Sequence, residues 1–220
     1  MKNEEVSAHV LSLGLSVLKH GVYHAHIQSP DNDKWDELSV VQVAHAAELI
    51  IKARIAREHP LLIFEQLPKL APGEQISLEK LAGEGRTYQY NALPNRLLAT
   101  TGVAISDLTL FKEFGQLRNS IQHFCHPPGV DLRNRTLAYI FGIIDPLLGE
   151  GWEQYAIDHN EDYEPYQYLV QSLVSAEITF RPSPQCLPNV DLEILDWPDS
   201  ASYKQQVHSA FTALRQSQSS

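Results

Sequence analysis

The sequence predicts an all-α protein: a helical bundle of four to five main helices, with a mostly helical C-terminal extension. Three observations carry this. Residues 34–59 and 107–125 repeat apolar side chains at helical spacing. Most prolines and glycines fall between such stretches, as at Ser29-Pro30, His59-Pro60 and Pro127-Pro128-Gly129. The apolar face of residues 34–59 is also wide enough to belong in the middle of a bundle.

Taken in order, residues 3–28 read as a first helix. Asn3 is placed to cap it, Glu4 and Glu5 suit its first turn, and Val6, Val10, Leu13, Val17 and Tyr23 form its stripe. The second helix, 34–59, presents Val40, Val41, Val43, Ala44, Ala47, Ile50, Ile51, Ile55 and Ala56, and ends before Pro60. Residues 61–106 are mixed. They hold a loop around Pro68, Pro72 and Gly73, a brief extended segment at Arg86–Tyr90, and a short helix from 91 to 101 that stops at Gly102. Gly83-x-Gly85 is too short for a phosphate loop and reads as a turn. The third long helix, 107–125, is capped by Ser106 or Asp107 and shows Leu110, Phe111, Phe114, Leu117, Ile121 and Phe124 on one face. Asp131 caps a fourth, expected to reach Leu148 with Pro146 kinking or ending it. Composition shifts at Gly149-Glu150-Gly151, so the chain divides into a bundle at 1–150 and an extension at 151–220. The extension opens with an acidic, aromatic stretch. It closes with an amphipathic helix over 199–215, which carries Tyr203, Val207, Ala210, Phe211 and Leu214 and is expected to dock on the bundle.

The 220 residues carry 43% hydrophobic and 20% charged side chains, enough for a real core and ordinary for a soluble protein. The polar, acidic N-terminus has no signal-like apolar region, and no apolar run approaches a membrane span. Cys125 and Cys186 make neither a disulfide framework nor a zinc pattern. These features point to a cytoplasmic protein with reduced thiols and no membrane partner. A net charge of −10 argues against an unselective nucleic-acid coat protein. The charge is uneven: residues 112–135 hold Lys112, Arg118, Arg133 and Arg135 against Glu113 and Asp131, a net of +2 that leaves −12 elsewhere. Such a focus suits a localised anionic substrate, though a window of this length also deviates by chance.

The candidate chemistry lies in Leu117–Phe124. Asn119 and His123 are four apart and share a helix face, whereas Arg118 and His123 are five apart, about 140° around an ideal helix. On RNA these residue types have plain uses. An imidazole moves a proton to or from a ribose or leaving oxygen. A guanidinium holds the phosphate. An asparagine fixes the imidazole or binds a phosphate oxygen. Attack by a 2′-OH needs no metal or other cofactor, but one histidine cannot serve as base and acid together. A symmetric homodimer would bring a second copy. The plainer reading is that cations collect at helix C-termini for electrostatic reasons. Two readings stay open for Glu48: a supporting pair with Lys52, or orientation of the Arg118–His123 helix. Two also stay open for His20, His24 and His26: a metal-holding spacing, or solvated histidines at a helix end.

Arg118-Asn119-x-x-x-His123 late in a bundle helix, followed by Phe124, resembles the HEPN superfamily, whose signature is an arginine, four to six residues, then a histidine. Leu97-Leu98-x-x-x-Gly102-Val103 and Ala44–Arg54 are similar to segments of bacterial members, and the resemblance covers roughly residues 1–150. It implies metal-independent endoribonuclease activity from a homodimer that gathers two motif copies, in a toxin–antitoxin, phage-defence or RNA-processing setting. The partners implied are RNA and an antitoxin or defence-complex protein. Arg118 and His123 become the catalytic pair, Asn119 a support and Glu48 an orienting group. Some members are not nucleases and bind a nucleotide or a protein instead, so a non-catalytic module is the alternative. A metal-binding bundle is a third reading, but the chain lacks the paired Glu-x-x-His that ferritin-like sites use.

Overall fold

Glycine, rather than the expected valine stripe, decides how the first two helices meet. In a computed structural model that describes residues 3–126, 128–163 and 165–218, α1 (Asn3–His26) and α2 (Trp35–Glu58) pack along one another. The α1 face turned to α2 carries Gly14, Leu18, Gly21, Val22 and Ala25, all buried. A Cβ on Gly14 would sit 3.1 Å from Ile50 Cγ1, and one on Gly21 would collide with Val43 Cγ2. The predicted stripe through Val6, Val10, Leu13 and Val17 lies beside this seam, and Leu13 is left 47% exposed. Small residues let the backbones approach, and that closeness turns the larger side chains outward. The side chains of Asn3 and Glu4, on which the expected cap rests, lie outside the described residues, as does Pro127.

The wide apolar face of α2 behaves as predicted. Val40, Val43, Ala44, Ala47, Ile50, Ile51, Ile55 and Ala56 are buried, and α2 touches α1, α4 (Leu93–Thr101), α5 (Leu108–His123) and α6 (Leu132–Tyr139). Between α2 and α4 the chain makes a two-stranded antiparallel ribbon, β1 (Phe64–Gln66) with β2 (Arg86–Thr87). The ribbon brackets a short helix, α3 (Leu78–Glu84), so the expected turn at Gly83-x-Gly85 is instead the end of a helix. Ser77 caps α3 through the Lys80 N–H at 3.1 Å, and Gly83 falls inside it. Gly102, at φ 75°, ends α4 in the left-handed region.

α5 begins where Asp107 accepts from the Leu110 N–H at 2.9 Å. It buries Phe111, Phe114 and Gly115, with Leu110, Leu117 and Ile121 packed at the margin. Phe124 departs from the predicted face. The helix stops at His123, the Phe124 backbone leaves helical geometry, and its ring is 92% exposed.

Asp131 caps α6 as expected, through the Asn134 N–H. Pro146 does not end the helical path. A π-turn at Ile140–Ile144 carries the chain into α7 (Asp145–Trp152), with Pro146 in the first turn. Proline has no N–H for the Gly142 carbonyl one turn earlier, and that oxygen instead accepts from Ser106 Oγ at 2.5 Å.

The extension contributes α8 (Gln167–Ser175) and α9 (Ala201–Gln218), joined by irregular chain through Ile178–Phe180, where no strand forms among the described residues. α9 docks through Tyr203, Val207 and Phe211. Phe180 stands edge-on between Phe141 and Phe211, with both ring centroids 6.3 Å away. Asp145, nearly fully buried on α7, accepts from Arg181 Nε at 2.6 Å, Arg181 Nη2 at 2.9 Å and the Ala156 N–H at 2.8 Å. One continuous apolar core thus takes in residues from both sides of position 150. No helix among the described residues is long and apolar enough to cross a membrane.

Candidate active site

α1, α2 and α5 enclose a cleft of about 450 Å³. Val17 and His20 come from α1, Val41, Gln42, His45 and Glu48 from α2, and Arg118 and Gln122 from α5. The α2 contribution follows from helical spacing: positions 41, 45 and 48 lie on one stripe beside the buried face.

Arg118 is the most constrained charge in the cleft. Its guanidinium lies 5.2 Å from the Tyr90 ring centroid, and Nη1 donates to Gln122 Oε1 at 3.0 Å. Its Nε is shielded from solvent and has no protein acceptor. Below it, Tyr90 stacks on Phe111 at 4.3 Å, and Phe114 stacks on Tyr139 at 4.0 Å. The two tyrosine oxygens are 2.6 Å apart, and Tyr90 donates to the Phe111 carbonyl at 3.2 Å, so the Tyr139 hydroxyl donates to Tyr90. Burial pushes both phenols far above their ordinary range, which keeps them protonated and uncharged beneath the arginine. Gly115 makes room for this platform: a Cβ there would fall 2.5 Å from Tyr90 Cε1.

Of the two sequence readings of Glu48, the structure shows the pair with Lys52. Glu48 accepts from Lys52 Nζ at 2.6 Å, and Lys52 also donates to Thr87 Oγ1 at 3.0 Å. Glu48 nonetheless lines the same cleft as Arg118. Because Lys52 offsets its charge, Glu48 is not an isolated anion in the cleft.

Asn119 and His123 share the adjoining face of α5, and both are exposed. His123 does not line the cleft. It is the last residue of α5. The structure therefore joins Arg118 with Glu48 and leaves Asn119 and His123 outside.

The three histidines in the last two turns of α1, His20, His24 and His26, divide their tasks rather than standing free in solvent. His20 Nδ1 pairs with Glu161 Oε2 at 2.8 Å, which brings the extension to the cleft's edge. His24 packs its ring 4.4 Å from Trp35, and burial lowers its pKa. His26 is buried, its Nδ1 held 2.7 Å from the Val22 carbonyl and its Nε2 3.3 Å from Asn160. No group of three or more His, Cys, Asp or Glu side chains suited to a metal ion occurs among the described residues. The predicted basic focus is likewise dispersed. Arg133 binds the Ala25 and His26 carbonyls at the end of α1, and Arg135 pairs with Glu113 at 3.3 Å. Only Arg118 of that group faces the cleft.

His20, Gln42 and His45 were readable in the sequence as polar residues on helices. What singles them out is the packing of α1 and α2 against α5, and no local spacing encodes that. No family model, curated protein or solved structure matches the chain.

Proposed function

We propose that the protein is a metal-independent endoribonuclease of HEPN type, acting in toxin–antitoxin or phage-defence biology. The observation that carries the reading is the Arg118 guanidinium, fixed on an aromatic platform at the wall of a cleft that also holds imidazoles. A guanidinium so held binds a phosphodiester without having to be ordered first, and it offsets the charge that grows on the phosphoryl oxygens. His123, at the end of α5, serves as a proton-transfer group, and Asn119, one turn earlier on the same face, steadies it or a phosphate oxygen. The partner in this reading is RNA, and the working unit is a homodimer that brings two motif copies together.

A second reading is a binding module for a nucleotide or a protein, and His123 standing outside the Arg118 cleft favours it. One experiment separates the two. Purified protein is incubated with RNA in excess chelator and the products are mapped. The nuclease reading expects fragments ending in 2′,3′-cyclic phosphate and 5′-OH, lost in Arg118→Ala and His123→Ala. Binding of RNA or nucleotide without cleavage by the wild-type protein supports the module.

A further inference from the structure

The geometry points to His45 as the proton acceptor for the ribose 2′-OH, working in the same chain as Arg118. The inference rests on the ribonuclease reading and supplies the second proton-transfer group that the Arg118–His123 motif lacks. Two imidazoles line the cleft, and they differ in what else they bind. His20 is committed to the Glu161 carboxylate at 2.8 Å. His45 is exposed on the cleft stripe of α2, and neither ring nitrogen has a hydrogen-bond partner among the described residues. It is therefore the cleft imidazole with a lone pair available to a substrate proton. The charged groups around it are His20 with Glu161 from the α1 side, Glu48 with Lys52 on α2, and Arg118 on α5.

Position supports the assignment. A displacement at phosphorus needs its base and acid on opposite sides, with the charge-stabilising donor between them. Arg118 and Gln122 present α5 to the cleft, and His45 faces them from α2. A phosphate on Arg118 then lies in the cleft that His45 lines. His45 takes the proton from the 2′-OH as that oxygen forms its bond to phosphorus. The bond from phosphorus to the 5′-oxygen breaks with its electron pair, and the leaving oxygen takes a proton from the His123 imidazolium. The products are a 2′,3′-cyclic phosphate and a 5′-OH. The two histidines end with exchanged protonation and reset through water, with no oxidant, reductant or metal consumed.

The test compares wild type, His45→Ala, His45→Gln and His123→Ala in chelator, with folding checked by circular dichroism. It measures kcat against pH and RNA affinity separately. Loss of a general base should lower kcat by about 10²- to 10⁴-fold. RNA affinity should stay within about twofold, because His45 adds no contact to phosphate charge. The acidic limb of the kcat profile should vanish in both His45 variants, and added imidazole should restore part of the rate to His45→Ala. If His45→Ala cleaves at the wild-type rate while His123→Ala does not, the inference is overturned and the ribonuclease reading stands. A slowed His45→Ala that keeps its acidic limb also overturns it, leaving His45 a structural part. If wild-type protein cleaves no RNA, the ribonuclease reading fails and this inference falls with it.

Discussion

Replacing Tyr90 by phenylalanine keeps the ring that carries Arg118 and removes one oxygen. That oxygen accepts from the Tyr139 hydroxyl at 2.6 Å and donates to the Phe111 carbonyl at 3.2 Å. Its loss strands the Tyr139 hydroxyl, on a side chain with no exposed surface. A neutral hydrogen bond is worth about 1 kcal/mol, and a buried donor left unpaired costs about 1–3 kcal/mol more, so Tyr90→Phe should cost about 2–4 kcal/mol. Tyr139→Phe removes one bond and leaves Tyr90 donating to Phe111, at about 1 kcal/mol. In the double variant no hydroxyl is stranded, so its cost should fall below the sum of the single costs by about 1–3 kcal/mol. Urea denaturation at constant pH measures all three. The account of the platform is refuted if Tyr139→Phe costs as much as Tyr90→Phe, or if the double variant is additive.

Other perturbations probe separate parts of the structure. Gly115→Ala pushes a methyl into the Tyr90 ring and should cost about 1–3 kcal/mol in urea denaturation, as overpacking does. RNA affinity should weaken with it as Arg118 loses its seat. Asp145→Ala removes the carboxylate that holds Arg181 and the Ala156 N–H, and should cost about 3 kcal/mol. This is the low end for a buried pair, because the Arg181 side chain is 43% exposed. Limited proteolysis should then cut between α7 and α8 sooner than in wild type. Burial lowers the pKa of His24, His26 and His159, so the unfolded chain binds protons more readily than the folded one as the solution is acidified. Their stabilising contribution is complete above about pH 6.5 and is lost as pH falls below it. The urea midpoint should drop from pH 7 to pH 5, less steeply in His26→Gln, and an unchanged slope in that variant would count against His26.

Much of the helical framework was legible because apolar spacing and capping residues act locally. α2, α5 and the docking face of α9 follow from side chains one or two turns apart. Three features needed the fold. The α1 seam runs through Gly14 and Gly21, which carry no apolar signal, and their use depends on how near α2 comes. The continuation past Pro146 depends on Ser106, far away in sequence, which meets the carbonyl that proline leaves open. The cleft draws His20, His45 and Arg118 from three helices, so the spacing around Arg118 identified one wall and nothing opposite. Phe124 shows the converse error: its spacing continues the α5 face, but the helix stops one residue before it.

The central claim is that Arg118 holds an RNA phosphate for cleavage without metal, and a cleavage assay in excess chelator tests it most directly. Wild-type protein should yield 2′,3′-cyclic phosphate ends, and Arg118→Ala should lower the rate by about 10²-fold or more, as loss of a transition-state donor does. Cleavage that stops on adding chelator, or that proceeds unchanged in Arg118→Ala, would contradict it.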